Sequence, residues 1–179
     1  NYNERTGKYS FFSVQQKAWH NLGQIIEQYP TSAEAIKYAG LDFEVIKSPL
    51  YTRGTGISIS NDGEIKEGGN ILLPDNFATM RTDTNTVFGV VGKDYQIVQN
   101  ADAFAFFDAI VGGDDGILYE TAGALGNGER IFITAKLPDY IRVGNGDDIT
   151  EKYIFLTTSH DGTGSFTAAF TPVRVVCHN

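Results

Sequence analysis

Ser159, His160 and Asp161 place a hydroxyl, an imidazole and a carboxylate on three consecutive residues, with Thr157 and Thr158 just before them. These are the side-chain types of nucleophilic catalysis, in which an oriented imidazole takes the proton of an attacking hydroxyl. The surrounding pattern argues for a turn instead. Asp161-Gly162 stands between two alternating segments, Tyr153 to Thr158 and Phe166 to Val176, and Asp-Gly is a strong hairpin signal. With those two residues at the centre, His160 pairs with Thr163, Thr158 with Ser165 and Thr157 with Phe166. His160 then flanks the turn at an exposed end of the sheet, a polar binding position at most. Its replacement by Ala should change stability by less than about 0.5 kcal/mol.

The other chemical residues are equally dispersed. Cys177 and His178 are adjacent, so an extended chain points them to opposite faces, and a buried inert thiol is the better reading. His20, His160, His178 and Cys177 have no metal-ligand spacing, and a single Cys excludes a disulfide scaffold and a multi-cysteine zinc module. Gly54-Thr55-Gly56 and Gly162-Thr163-Gly164 do not continue into a phosphate loop, and Asp114-Asp115 and Asp147-Asp148 read as solvated loop charge. No catalytic residue, metal or cofactor is assigned. Trp19-His20, in a poorly patterned segment, reads as an anchor for an N-terminal arm.

A ligand surface is better sought on a sheet face. Asn127-Gly128 is a second hairpin signal, and a turn centred there pairs Leu125 with Arg130, Gly123 with Phe132, Thr121 with Thr134 and Tyr119 with Lys136. One face then carries Tyr119, Thr121, Arg130, Phe132, Thr134 and Lys136, and the other Ala122, Ala124, Ile131, Ile133 and Ala135. The second face is core, except that Glu120 falls on it, which requires a buried partner or a register shifted by one. The first combines two aromatic rings with two cations, as a platform that stacks bases and holds phosphates would. Tyr119, Arg130, Phe132, Lys136, His160 and Arg174 are the candidate ligand- or nucleic-acid-binding residues. The competing structural reading puts Phe132 under another element and pairs the arginines with carboxylates.

Two helices and several strands must position that face. Thr31 and Glu34 have capping-box spacing, which predicts a short helix over about 32–39. Asn100 is a good N-cap for a core helix over about 101–111, with Phe104, Phe106, Phe107 and Ile110 mostly buried. Around them read strands at Phe43 to Ser48, stopping before Pro49, at Ile57 to Ile59, and at Phe77 to Thr82 with Thr86 to Val91. A short extended piece covers Tyr95 to Val98. Further strands follow at Ile117 to Ala122, Arg130 to Lys136, Tyr153 to Thr158 and Phe166 to Val176. A helical possibility covers Val14 to Leu22. The order lacks regular strand-helix alternation, so 179 residues make a single α+β domain, mainly antiparallel, with residues 1–30 as an N-terminal arm. Net charge is −8, which opposes non-specific phosphate binding and confines any nucleic-acid site to a local patch. No run of about 18 apolar residues exists to cross a membrane as a helix, and a cytoplasmic location is expected.

Several pieces together resemble the phage/plasmid-like protein family. They are Trp19-His20-x-Leu22-Gly23, Ala39-Gly40-Leu41-Asp42, Arg81-x-Asp83-Thr84, Gly89-Val90-Val91-x-x-x-Tyr95-x-x-Val98-x-Asn100, Glu120-Thr121-Ala122-Gly123-x-Leu125-x-x-Gly128-x-Arg130, Leu137-Pro138, Ser159-His160-Asp161-Gly162 and Pro172-Val173-Arg174-Val175-Val176-Cys177-x-Asn179. The resemblance implies a domain of unknown function carried by phages, plasmids and integrative elements, and a chain that is the N-terminal part of a longer protein. It brings no catalytic residues. The expected function is a non-catalytic mobile-element accessory that binds or anneals single-stranded DNA, with affinity falling steeply as salt rises. The alternative is an interaction module for a host or element-encoded protein.

Overall fold

The computed structural model describes residues 2–3, 8–14, 24–59, 61–111, 118–142 and 149–175. In chain order these form β1 (Tyr2–Asn3), β2 (Lys8–Tyr9), β3 (Phe11–Val14), β4 (Gln24–Ile26), α1 (Ser32–Tyr38), β5 (Val45–Arg53), β6 (Ile57–Ile59), β7 (Ile65–Glu67) and β8 (Asn70–Arg81). Then come β9 (Val87–Gly92), α2 (Asn100–Val111), β10 (Leu118–Leu125), β11 (Arg130–Arg142), β12 (Ile149–Ser159) and β13 (Thr167–Val175). The largest sheet has the order β13-β12-β11-β10-β3-β4 and is antiparallel except for the β3–β4 pair. A second sheet, β5-β8-β9, is antiparallel, and β1–β2 and β6–β7 are separate two-stranded ribbons. The α+β class and its mainly antiparallel sheets agree with the sequence. Two main sheets stand where a single one was expected.

Period-two alternation builds the central strands. Ile131, Ile133 and Ala135 of β11 and Ile154 and Leu156 of β12 are buried in one cluster with Ala122 and Ala124 of β10. Ala103, Phe104 and Phe107 of α2 and Ala35 of α1 belong to the same cluster, so both helices pack on one face of the large sheet. Phe106 is a correction. It lies about 100° around the helix from Phe107, at the flank of the buried stripe, and stays 38% exposed with its ring edge-on to Phe166 at 5.0 Å.

α1 starts where the capping box places it: the Thr31 amide donates to Glu34 Oε2 at 2.9 Å and the Glu34 amide to Thr31 Oγ1 at 3.4 Å. Seven residues are too few for a helix to persist on propensity alone. Thr31→Ala is therefore expected to cost about 1 kcal/mol, read from the urea midpoint.

Pro49 does not end β5. The strand continues to Arg53 through a register shift between Pro49 and Leu50, which an edge strand tolerates because the missing amide faces no partner. Pro172 likewise sits within β13, the other sheet's edge strand, without interrupting it. Tyr95 to Val98 forms no strand. Of the helical possibility at Val14 to Leu22, Val14 ends β3 and the remainder lies outside the described residues. Among the described residues no helix is long and apolar enough to cross a membrane.

Candidate functional site

The β10–β11 hairpin follows the sequence register from Leu125↔Arg130 to Thr121↔Thr134 and then departs from it. A bulge at Glu120 shifts the pairing by one, so Tyr119 faces Ala135 and Leu118 faces Lys136. Tyr119 thereby leaves the outer face for the core, which corrects its assignment as a ligand residue. Its ring lies 5.3 Å from Phe104, and its hydroxyl donates to Asp108 Oδ1 at 2.7 Å. The acidic residue that fell on an apolar face was the signal of this bulge.

The face away from both helices carries Arg130, Phe132, Thr134 and Lys136 from β11. Paired with them in order are Ser159, Thr157, Phe155 and Tyr153 of β12. Phe132 is half-buried and Phe155 is 37% exposed, and their register makes them diagonal neighbours, about 7 Å apart. Phe155 was not singled out from the sequence, because between Ile154 and Leu156 it reads only as one more strand residue. Arg130 keeps a side chain 58% exposed, with Thr163 Oγ1 at 3.2 Å and Asp161 Oδ2 at 3.9 Å, a loose surface pair of little energetic weight.

Lys136 is not a free cation. Its ammonium is hydrogen-bonded to Glu151 Oε1, and the Tyr153 hydroxyl donates to Glu151 Oε2 at 2.8 Å. Burial works against the Glu151 carboxylate, yet the bonds from Lys136 and Tyr153 hold it below its usual range. Glu120 closes the group with a buried, unpartnered Oε2, and burial raises its carboxyl above the usual range. Two carboxylates around one ammonium leave little charge for a phosphate.

His160 is buried, 1% exposed, which corrects both its expected exposure and its hairpin register. The observed pairing is Thr157↔Thr167, one residue beyond the expected Phe166. The loop is longer than a two-residue turn because its polar groups bond internally: the Thr163 amide donates to Asp161 Oδ1 at 2.9 Å and the Gly164 amide to Ser159 Oγ at 2.8 Å. His160 sits instead between the two sheets. Its ring stacks on Phe88 with centroids 5.9 Å apart, Phe43 meets it edge-on at 6.2 Å, and Nε2 lies 2.9 Å from Asn100 Oδ1. Asn100 Nδ2 donates onward to the Leu41 carbonyl, so Oδ1 is the acceptor and Nε2 carries the proton. Nδ1 is buried and unpartnered, and burial lowers the imidazole pKa to about 4. Ser159 does not bond this ring, so the three consecutive residues do not form a catalytic relay.

The neighbouring motif residues complete the same joint. Arg81 binds Asp83 through two nitrogens at 2.7 and 2.9 Å, lies 3.8 Å over the Phe43 ring, and donates to the Asn127 carbonyl at 3.2 Å. A Cβ on Gly128, whose φ is +110°, would meet that guanidinium at 3.0 Å and Phe43 at 3.2 Å. One on Gly89 would collide with the Asp161 carbonyl oxygen, so β9 can approach the 160s loop only through glycine. Tyr95 ties the end of β12 by donating to the Ser159 carbonyl at 2.9 Å.

The family profile of DUF932, a domain of unknown function, matches residues 87–179, just over half of the chain, taking in Phe88, Asn100, Gly128 and His160 of this joint and the outer sheet face but not Phe43, Arg81 or Asp83. The chain belongs to the DUF932 family. No curated protein and no solved structure matches it.

Within the DUF932 segment, Asn100, Gly128, His160 and Asp161 belong to the joint between the two sheets. Arg174 lies in β13 opposite Thr150, with its side chain outside the described residues, as are Trp19-His20 and Cys177-His178. Among the described residues no group of three His, Cys, Asp or Glu side chains could hold a metal ion. Of the sequence candidates with described side chains, Arg130 and Phe132 lie on the outer face of the large sheet, beside Phe155, Thr134 and Thr157.

Proposed function

We propose that this DUF932 domain is a non-catalytic accessory of a mobile genetic element, acting in the cytoplasm, that binds single-stranded DNA across the outer face of β11 and β12 and so assists annealing. The observation that carries the reading is the pair Phe132 and Phe155, diagonal on a sheet face that neither helix covers. Single strands are held on such faces because every base has a π-surface, with about 1–3 kcal/mol per stacked base. The mobile-element context comes from the resemblance of the ordered motifs.

Charge sets the character of the binding. Arg130 is exposed, Lys136 is neutralised by Glu151, and the chain carries −8, so few phosphates are engaged. Each phosphate contact contributes a slope of about −0.7 to log K against log salt for a single strand. The salt dependence should therefore be shallow, rather than steep as two free cations would make it. Titrating labelled oligothymidylate and a duplex of equal length at low and moderate salt tests this. Preference for the single strand with a slope near −1 supports the reading, and no binding at low salt refutes it.

A protein-interaction module is the second reading, favoured by a different observation: the ribbon between β5 and β8 exposes a series of large apolar side chains.

A further inference from the structure

The distal parts of β5 and β8 continue beyond their sheet as an arm over residues 50–73. Its shaft pairs Leu50 with Leu73, Tyr51 with Leu72, Thr52 with Ile71 and Arg53 with Asn70, and its tip is the β6–β7 hairpin. Ile57, Ile59 and Ile65 share one face of that tip, by alternation and by the Ile59↔Ile65 pairing, and are 72%, 72% and 70% exposed. Tyr51, Ile71 and Leu72 on the shaft are 57%, 55% and 51% exposed. Two-stranded ribbons are marginal in water unless a face is covered. Tyr51 and Leu72 are paired and share a face, whereas Ile71 turns to the other. Without Ile71 the remaining five side chains leave on the order of 600 Å² uncovered, the upper end for the largest apolar patch of a typical monomer.

We propose that this arm is a self-association element whose occupant is the arm of a second copy of the chain, packed apolar face to apolar face about a two-fold axis. This gives the protein-partner reading a specific occupant and does not depend on DNA binding. Charge favours a copy meeting here. Residues 50–73 contain two cations and three anions, so −7 of the chain's −8 lies elsewhere. Two such bodies repel at close range. An arm on the order of 30 Å long holds them apart by more than the Debye length of about 8 Å. Area favours it as well, because two such faces together bury on the order of 1,200 Å², at the lower bound of stable specific interfaces.

Sedimentation velocity without DNA tests the proposal, on wild type, on Ile57→Ser/Ile59→Ser/Ile65→Ser, and on a shortened chain in which Asn-Gly replaces Gly54 to Gly69. The expected result is a wild-type dimer and at least a hundredfold weaker association in both variants, each with the melting temperature of wild type diluted to the monomer. A wild type that stays monomeric at about 100 µM, or a dimer that survives in either variant, overturns it. Neither outcome bears on the oligonucleotide titration, so the two readings fail separately.

Discussion

Replacing Phe107 by Ala is expected to lower the unfolding free energy by about 3–5 kcal/mol, the range for removing a fully buried aromatic ring. Phe107 has no exposed surface, and with Phe104 it forms the seam along which α2 meets the strands through Tyr119. The bulge at Glu120 raises the cost, because it turns Tyr119 inward against this seam. Tyr119 is anchored to Asp108 of the same helix, so it cannot swing freely to fill the cavity. For a chain of this size the melting temperature should fall by roughly 6–20 °C. A loss below about 1 kcal/mol would mean that α2 does not seat on the sheet as described.

The second large effect concerns His160. Its substitution by Ala removes a ring stacked on Phe88 and leaves the Asn100 carbonyl oxygen without its donor, at an expected cost of about 2–4 kcal/mol. The pH dependence gives this a signature that packing alone does not. The folded-state pKa is lowered to about 4 by burial, against 6.5 for the free side chain. Above pH 6.5 both states are neutral and the linkage is silent. Between 6.5 and 4 the unfolded chain takes up a proton that the folded one refuses, so stability is lost as pH falls through that window. The full loss is on the order of 3 kcal/mol, complete below pH 4. Glu120, raised by burial, acts with the opposite sign as it protonates, and Asp161 and Glu151, both lowered, lose their contributions at more acidic pH. The readout is therefore the difference between wild type and His160→Gln in urea denaturation from pH 7 to 4. The Gln variant should lack most of the slope, and equal slopes would place the titration elsewhere.

These residues also mark what sequence can and cannot convey. The capping box of α1, the Asn100 start of α2 and the Ile131, Ile133, Ala135 alternation are local signals, decided by neighbours within one helical turn or two strand positions. The hairpin register at Asn127-Gly128 holds for the same reason, until a single extra residue at Glu120 re-aims Tyr119. A bulge leaves no composition signature, only the misplaced carboxylate. His160 reads as an exposed turn residue in sequence because its partners Phe43, Phe88 and Asn100 are remote, and a turn residue gives no sign that a second sheet will close over it. Lys136 looked free for the same reason: Glu151 reaches it only across the β11–β12 pairing. The arm is the converse case, a glycine-rich stretch whose isoleucines read as one short strand, while their exposure depends on where the shaft carries them.

The most direct test of the proposed function is the affinity of a labelled oligothymidylate for wild type and for Phe132→Ala/Phe155→Ala, measured by fluorescence anisotropy at fixed salt. Both side chains sit on the outer face, so the double variant should keep a folded core. If Phe132 and Phe155 stack bases, affinity should fall by at least tenfold, with little change in salt slope, since no cation is removed. Binding equal to wild type by a folded double variant would contradict the assignment of this face as the single-strand site.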